Sequence, residues 1–145
     1  MPLSPRNTDR PPELNFRVTD LYTGLVPAGE HDYDGVPYGD LIFEDIDWSE
    51  IGEHDPARRS ERKGSTERDV HTEWATEACQ DDARWVRSAG SGSGLTVKVT
   101  GYSPMAGFVV TVIVAPKDHP PLRRWWGATA WEAKPSEFKR FEEGQ

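Results

Sequence analysis

At 145 residues, with 35% hydrophobic residues and a mean hydropathy of −0.73, the chain suits one domain with a modest core and some length to spare. No apolar run reaches the roughly 18–20 residues that a helical membrane span needs, which excludes an integral helical membrane protein. The net charge of −8 is uneven: residues 1–50 hold eleven acids against three arginines, whereas 51–145 hold fourteen acids and fourteen bases, a neutral balance that leaves room for local basic clusters.

The N-terminal MPLSPRNTDRPPE has no apolar signal core, and Cys79 is the single cysteine, so the expectation is a cytoplasmic protein without an intrachain disulfide. Four prolines within residues 1–15 read as an extended tail. From Phe16 to Tyr38, scattered apolar residues are broken by Pro27, Gly29, Gly35 and Pro37, which suits a loop-rich acidic arm. Residues 1–40 are therefore taken as the arm and 41–145 as the domain. Leu41 to Trp48 alternates well enough for a strand. Glu53 to Arg62 is polar, with Pro56 suited to a first helical turn. Glu67 to Cys79 places Val70, Trp74, Ala75 and Ala78 on one helical face.

Arg84 to Arg87 reads as a short strand, and Ser88 to Gly94, SAGSGSG, as a linker loop. The strongest signal is Leu95 to Ala115. Leu95, Val97 and Val99 alternate with Thr96, Lys98, Thr100 and Tyr102, the pattern of a strand with one wet face. After Pro104 and Gly107, the run FVVTVIVA is apolar on both sides, as a central strand requires. The pair forms an antiparallel hairpin. A further strand near Arg124 to Trp131 and a helix from Pro135 to Glu143 close the chain. The order predicts an α+β fold, with an antiparallel meander of three or four strands, two helices before it and a short helix after it, all helices on one side.

Three segments, Glu67 to Ala78 (ERDVHTEWATEA), Val97 to Ser103 (VKVTGYS) and Gly127 to Phe141 (GATAWEAKPSEFKRF), together with this element order, resemble the BrnT-type toxins of bacterial type II toxin–antitoxin systems, of RelE/ParE-like fold. The resemblance covers about residues 41–144. It implies a ribonuclease or translation inhibitor that uses no metal or other cofactor, acts on RNA or the ribosome, and is neutralised by a separate antitoxin protein. The sequence departs from the family pattern at Trp126 and Trp131, where arginines are expected, and at Arg68, where a histidine is expected. A non-catalytic protein-binding module of the same fold, self-capped by the acidic arm, is the alternative.

Metal-independent RNA cleavage needs a base at the 2′-hydroxyl, a cation on the scissile phosphate and an acid for the leaving oxygen. The candidates are Lys98 and Tyr102 on the wet strand face and Arg124 one strand over, with Arg123, Lys134, Lys139 and Arg140 as RNA-binding cations. The same residues also suit an ordinary solvated surface. Trp125 and Trp131 are expected on one face of the closing strand and Trp126 on the other, where they either stack bases or plug the core. The four histidines have no metal-ligand spacing, and Cys79 reads as a small buried hydrophobe.

Overall fold

The β-branched run that follows Gly107 lies in the middle of the sheet, flanked on both sides by antiparallel partners. A computed structural model describes residues 32–64, 66–90 and 96–144. The expected tail, most of the acidic arm and most of the SAGSGSG loop lie outside these residues. In chain order the elements are β1 (Asp32–Tyr33), β2 (Val36–Pro37), β3 (Asp45–Asp47), α1 (Arg59–Lys63), α2 (Thr72–Cys79), β4 (Trp85–Ser88), β5 (Val97–Ser103), β6 (Phe108–Pro116), β7 (Arg124–Glu132) and α3 (Pro135–Glu143). Short 3₁₀ turns occupy Tyr38–Asp40, Gly52–His54 and Pro56–Arg58. The main sheet has five strands in the order β3-β7-β6-β5-β4, mostly antiparallel, so the architecture is α+β.

The hairpin forms as its pattern dictates. Val99 faces Val112 and Val97 faces Val114, and Val110, Val112 and Val114 are fully buried. Gly107, at φ 82°, closes the turn in a conformation that favours glycine. One face of the sheet carries Val97, Val99, Gly101, Val110, Val112, Ala130 and Trp125, and it packs on Ala75, Ala78 and Cys79 of α2. Gly101 permits that contact, because a Cβ there would run into the Ala78 carbonyl oxygen. Glu77 ties the helix to the hairpin by accepting hydrogen bonds from Ser103 Oγ at 2.7 Å and from the Met105 amide at 3.0 Å.

Four expectations need correction. The sheet has a fifth strand, because the Leu41–Trp48 segment pairs at its end. Its residues Asp45–Asp47 run parallel to β7, an alignment that no local pattern encodes. Leu41 and Phe43 still point into the core as their alternation implies. The helices are not all on one side: α3 lies on the face opposite α2, where Glu137 reaches Thr111 and Trp131. The helix expected from Glu67 begins only at Thr72, since Glu67 lies in a turn, its amide bonded to Gly64 O at 3.0 Å, and the Val70 amide is bonded to Pro56 O at 2.9 Å.

The fourth correction concerns the tryptophans. Ile113 faces Thr129 but Val114 faces Gly127, so Ala128 is an extra residue in β7, a bulge. It inverts the parity of the strand. Trp131 therefore shares a face with Trp126, and Trp125 alone enters the core, where its Nε1 donates to Ile42 O at 2.8 Å.

Tyr33 and Tyr38, on the arm side of position 41, are buried in the same core. Seven of the eleven acids in the first fifty residues fall between 32 and 50, so most of that acidity belongs to the described domain. It is partly matched locally: Asp47 binds Lys117 Nζ at 2.8 Å and Glu44 lies 3.5 Å from Arg123 Nη1.

Candidate functional site

The sheet face beneath α3 collects the polar side chains that alternate with the core residues. Cross-strand register sets Arg87 of β4 opposite Lys98 of β5, and Thr111 of β6 opposite Trp131 of β7. Two cations side by side on one face repel each other and are costly unless an anion lies between them. That anion is Glu137, the third residue of α3. The spacing is that of a helix-capping glutamate: its Oε1 accepts from the Lys134 amide at 2.8 Å.

The same oxygen also accepts from Thr111 Oγ1 at 3.0 Å and from Trp131 Nε1 at 3.1 Å. The buried Thr100 and Thr111 hydroxyls lie 2.8 Å apart, and Arg87 Nη1 reaches Thr100 Oγ1 at 2.9 Å. The Thr111 proton is committed to the carboxylate, so Thr100 must be the donor between the hydroxyls and must accept from Arg87. A directed chain thus runs from the Arg87 guanidinium through Thr100 and Thr111 to Glu137. The second carboxylate oxygen, Oε2, stands 3.9 Å from both Arg87 Nη2 and Lys98 Nζ, beyond hydrogen-bond range.

Aromatic rings wall this cluster. Both Arg87 and Arg140 guanidiniums lie against the Trp85 ring, at 3.5 and 4.8 Å from its centroid. Lys98 and Arg59 approach the Trp131 ring at 5.8 and 5.2 Å, and Arg59 is itself bonded to Glu67 at 3.0 Å. Burial pushes the Glu137 carboxyl up. The bonds from Lys134, Trp131 and Thr111 and the charge of Lys98 outweigh this, holding it below the usual carboxylate range. Burial pushes the Arg87 guanidinium down, to about 10, with Arg140 adding to the effect and Glu137 opposing it. Both groups stay charged at neutral pH, and Arg87 and Lys98 around one glutamate keep an excess of positive charge, while Arg140 pairs with Glu143 at 3.9 Å.

The expected site residues are not all brought together. Lys98 lies at the centre of the cluster. Tyr102 shares its face but stands four residues along β5, roughly 13 Å away at about 3.3 Å per residue. It opens instead into a groove of about 840 Å³ with Phe138 and Phe141, alongside the acids Glu132 and Glu142. Arg124 is at the far end of β7, five residues from the Thr129 position that aligns with Lys98, and it is bound to Asp118 at 2.7 Å. Asp118 raises the Arg124 pKa by its hydrogen bond and charge. Arg123 sits beside it, facing Glu44. Of the α3 residues, Arg140 joins the cluster through Trp85, whereas Lys134 and Lys139 are exposed.

Arg87, Thr111 and Glu137 were not singled out by the sequence reading. For Arg87 the signal was the alternation with Trp85 in RWVR, which sends both to one face. For Glu137 it was the interval of three from Lys134 across Pro135. Cys79 is fully buried, and burial pushes its thiol pKa up, consistent with a packing residue. Among the described residues, no three His, Cys, Asp or Glu side chains cluster as metal ligands would. Neither a family model nor a curated protein matches the sequence.

Proposed function

We propose that this domain is a toxin-like RNA-binding protein of the BrnT type and RelE/ParE-like fold, which acts on RNA or the ribosome and is paired with an antitoxin protein. The observation that carries the reading is the Arg87–Lys98 pair, held on one sheet face between the Trp85 and Trp131 rings with more positive charge than Glu137 offsets. Cations beside aromatic planes are what a single-stranded RNA backbone with its bases needs. Lys98 would then stabilise charge on a phosphate.

A non-catalytic form of the same reading is favoured by one specific observation: Lys98, Tyr102 and Arg124 do not surround one point. Glu137, with a depressed pKa and three hydrogen bonds on one oxygen, is a poor proton acceptor. The closed arrangement therefore has cations to hold a phosphate but lacks an evident base.

The test is binding and cleavage of a labelled single-stranded RNA by wild type and Lys98→Ala. The binding reading expects measurable affinity at low salt that weakens steeply as salt rises, and about a tenfold loss in the variant. If the protein also cleaves, Lys98→Ala lowers the rate by about 10²–10³-fold. RNA that is neither bound nor cut at low salt would refute the proposal.

A further inference from the structure

We propose that Glu137 is the resting occupant of a phosphate-binding site formed by Arg87 and Lys98, with Arg140 at its rim, so that a phosphate group and this carboxylate compete for the same two cations. The inference deepens the RNA reading and rests on it for the natural source of the phosphate, but not for the site itself.

The two oxygens of Glu137 are used very differently. Oε1 is saturated by Lys134 N, Thr111 Oγ1 and Trp131 Nε1, which anchors the helix. Oε2 faces both cations yet reaches neither within hydrogen-bond distance, at 3.9 Å from each. Among the described residues, Arg87 Nη2 and Lys98 Nζ have no closer acid. A built cation pair thus retains donors that its own carboxylate leaves incompletely used. A tetrahedral phosphate carries more oxygens and more charge than a carboxylate, and it can satisfy both donors at once. Thr100 keeps Arg87 aimed by accepting from Nη1, so Nη2 is preset toward the ligand position.

The site is closed in this conformation. The side chains of Glu137, Arg87 and Lys98 are 13%, 18% and 26% exposed. Admission of a phosphate therefore requires Glu137 to swing out or α3 to shift. Beyond Glu137, the helix is held by Phe141, its buried residue, by Arg140 against Trp85 at 4.8 Å from the ring centroid, and by the preceding Ala133 amide, bonded to Val109 O at 2.9 Å. A helix of nine residues tied at so few points can yield without disturbing the α2 face.

Two probes separate the site from the source of its ligand: inorganic pyrophosphate and a labelled single-stranded RNA, each titrated against the full chain. Glu137→Gln keeps the shape and an acceptor for Thr111 and Trp131 while removing the charge. It should raise pyrophosphate affinity about tenfold, as expected when one close negative charge leaves a partly buried cation pair. Adding Lys98→Ala should cancel the gain. Phe141→Ala, which loosens the helix but leaves every charge in place, should raise affinity in the same direction and decides the matter if Glu137→Gln does not fold. Gains for both probes support the site and its RNA ligand. A gain for pyrophosphate alone supports the site and overturns RNA as the source. If the folded variants bind pyrophosphate no better than wild type, the competition is overturned, even where wild type binds RNA.

Discussion

Gly101→Ala is the sharpest test of how the sheet and α2 are joined. The added Cβ would meet the Ala78 carbonyl oxygen, with Ala78 C at 2.9 Å and Asp81 Cβ at 3.2 Å. Two of these are backbone atoms, so no side-chain rotation relieves the clash. Strand β5 cannot retreat either, because it is paired on both sides, to β4 and β6. The end of α2 must therefore back away, opening the packing of Ala75, Ala78 and Cys79 on Val99 and Val110. The shift also strains the bond from the Tyr102 amide to Asp81 Oδ2, now 2.8 Å. Overpacking costs about 1–3 kcal/mol, and loss of a hydrogen bond to a charged group about 1.5–3 kcal/mol, so the sum is about 2.5–6 kcal/mol. Against a typical stability of about 5–15 kcal/mol this is a large fraction. At about 4 °C per kcal/mol for a domain of this size, the melting temperature should fall by about 10–24 °C. The assay is thermal and urea unfolding beside Gly39→Ala, where nothing lies within 4 Å and the cost should stay within about 0.5 kcal/mol. A Gly101→Ala protein as stable as that control would refute the close approach of helix and strand.

Val112→Asp should leave the chain unfolded by circular dichroism, because Val112 is fully buried between Val99 and Ala130 and an unpaired carboxylate there costs several kcal/mol. A cooperative melt in that variant would contradict the central position of β6. Acid should also destabilise the protein in a defined window. Glu137 and Asp47 have folded-state pKa values below their ordinary 4.5 and 3.8. The unfolded chain takes up protons first, so their contribution is complete above about pH 4.5 and is lost as pH falls through the folded values. The melting temperature should drop between about pH 5 and 3, less steeply in Glu137→Gln, and an unchanged slope in that variant would show that the carboxylate is not tied as described.

What can be read without coordinates follows the range of the interactions. The hairpin, its turn at Gly107, the burial of Val110, Val112 and Val114 and the amphipathic face of α2 all come from neighbours two to four residues apart, so period and turn chemistry suffice to find them. The start of α2 is less legible, since contacts to the preceding segment, among them Val70 N to Pro56 O, Arg59 to Glu67 and Ser60 to Asp69, keep Glu67 to Val70 out of the helix.

The site shows the same division at greater distance. Lys98 on the wet face of its strand is evident from alternation, but its surroundings are assembled from positions 87, 100, 111 and 131, which meet only through strand register, and from 137, which α3 brings across that face. Ala128 adds one residue to β7 and thereby turns Trp131 toward Lys98, an inversion that strict alternation places on the wrong face. The sequence by itself determined that β4 to β7 are strands, that α2 and α3 are helices, and which residues are too apolar to face water. The tertiary structure alone decided that β3 joins β7 in parallel, that α3 crosses the face opposite α2, and that the glutamate in its first turn lands between two cations. Those outcomes depend on pairing energies between segments far apart in the chain, to which local propensity contributes nothing.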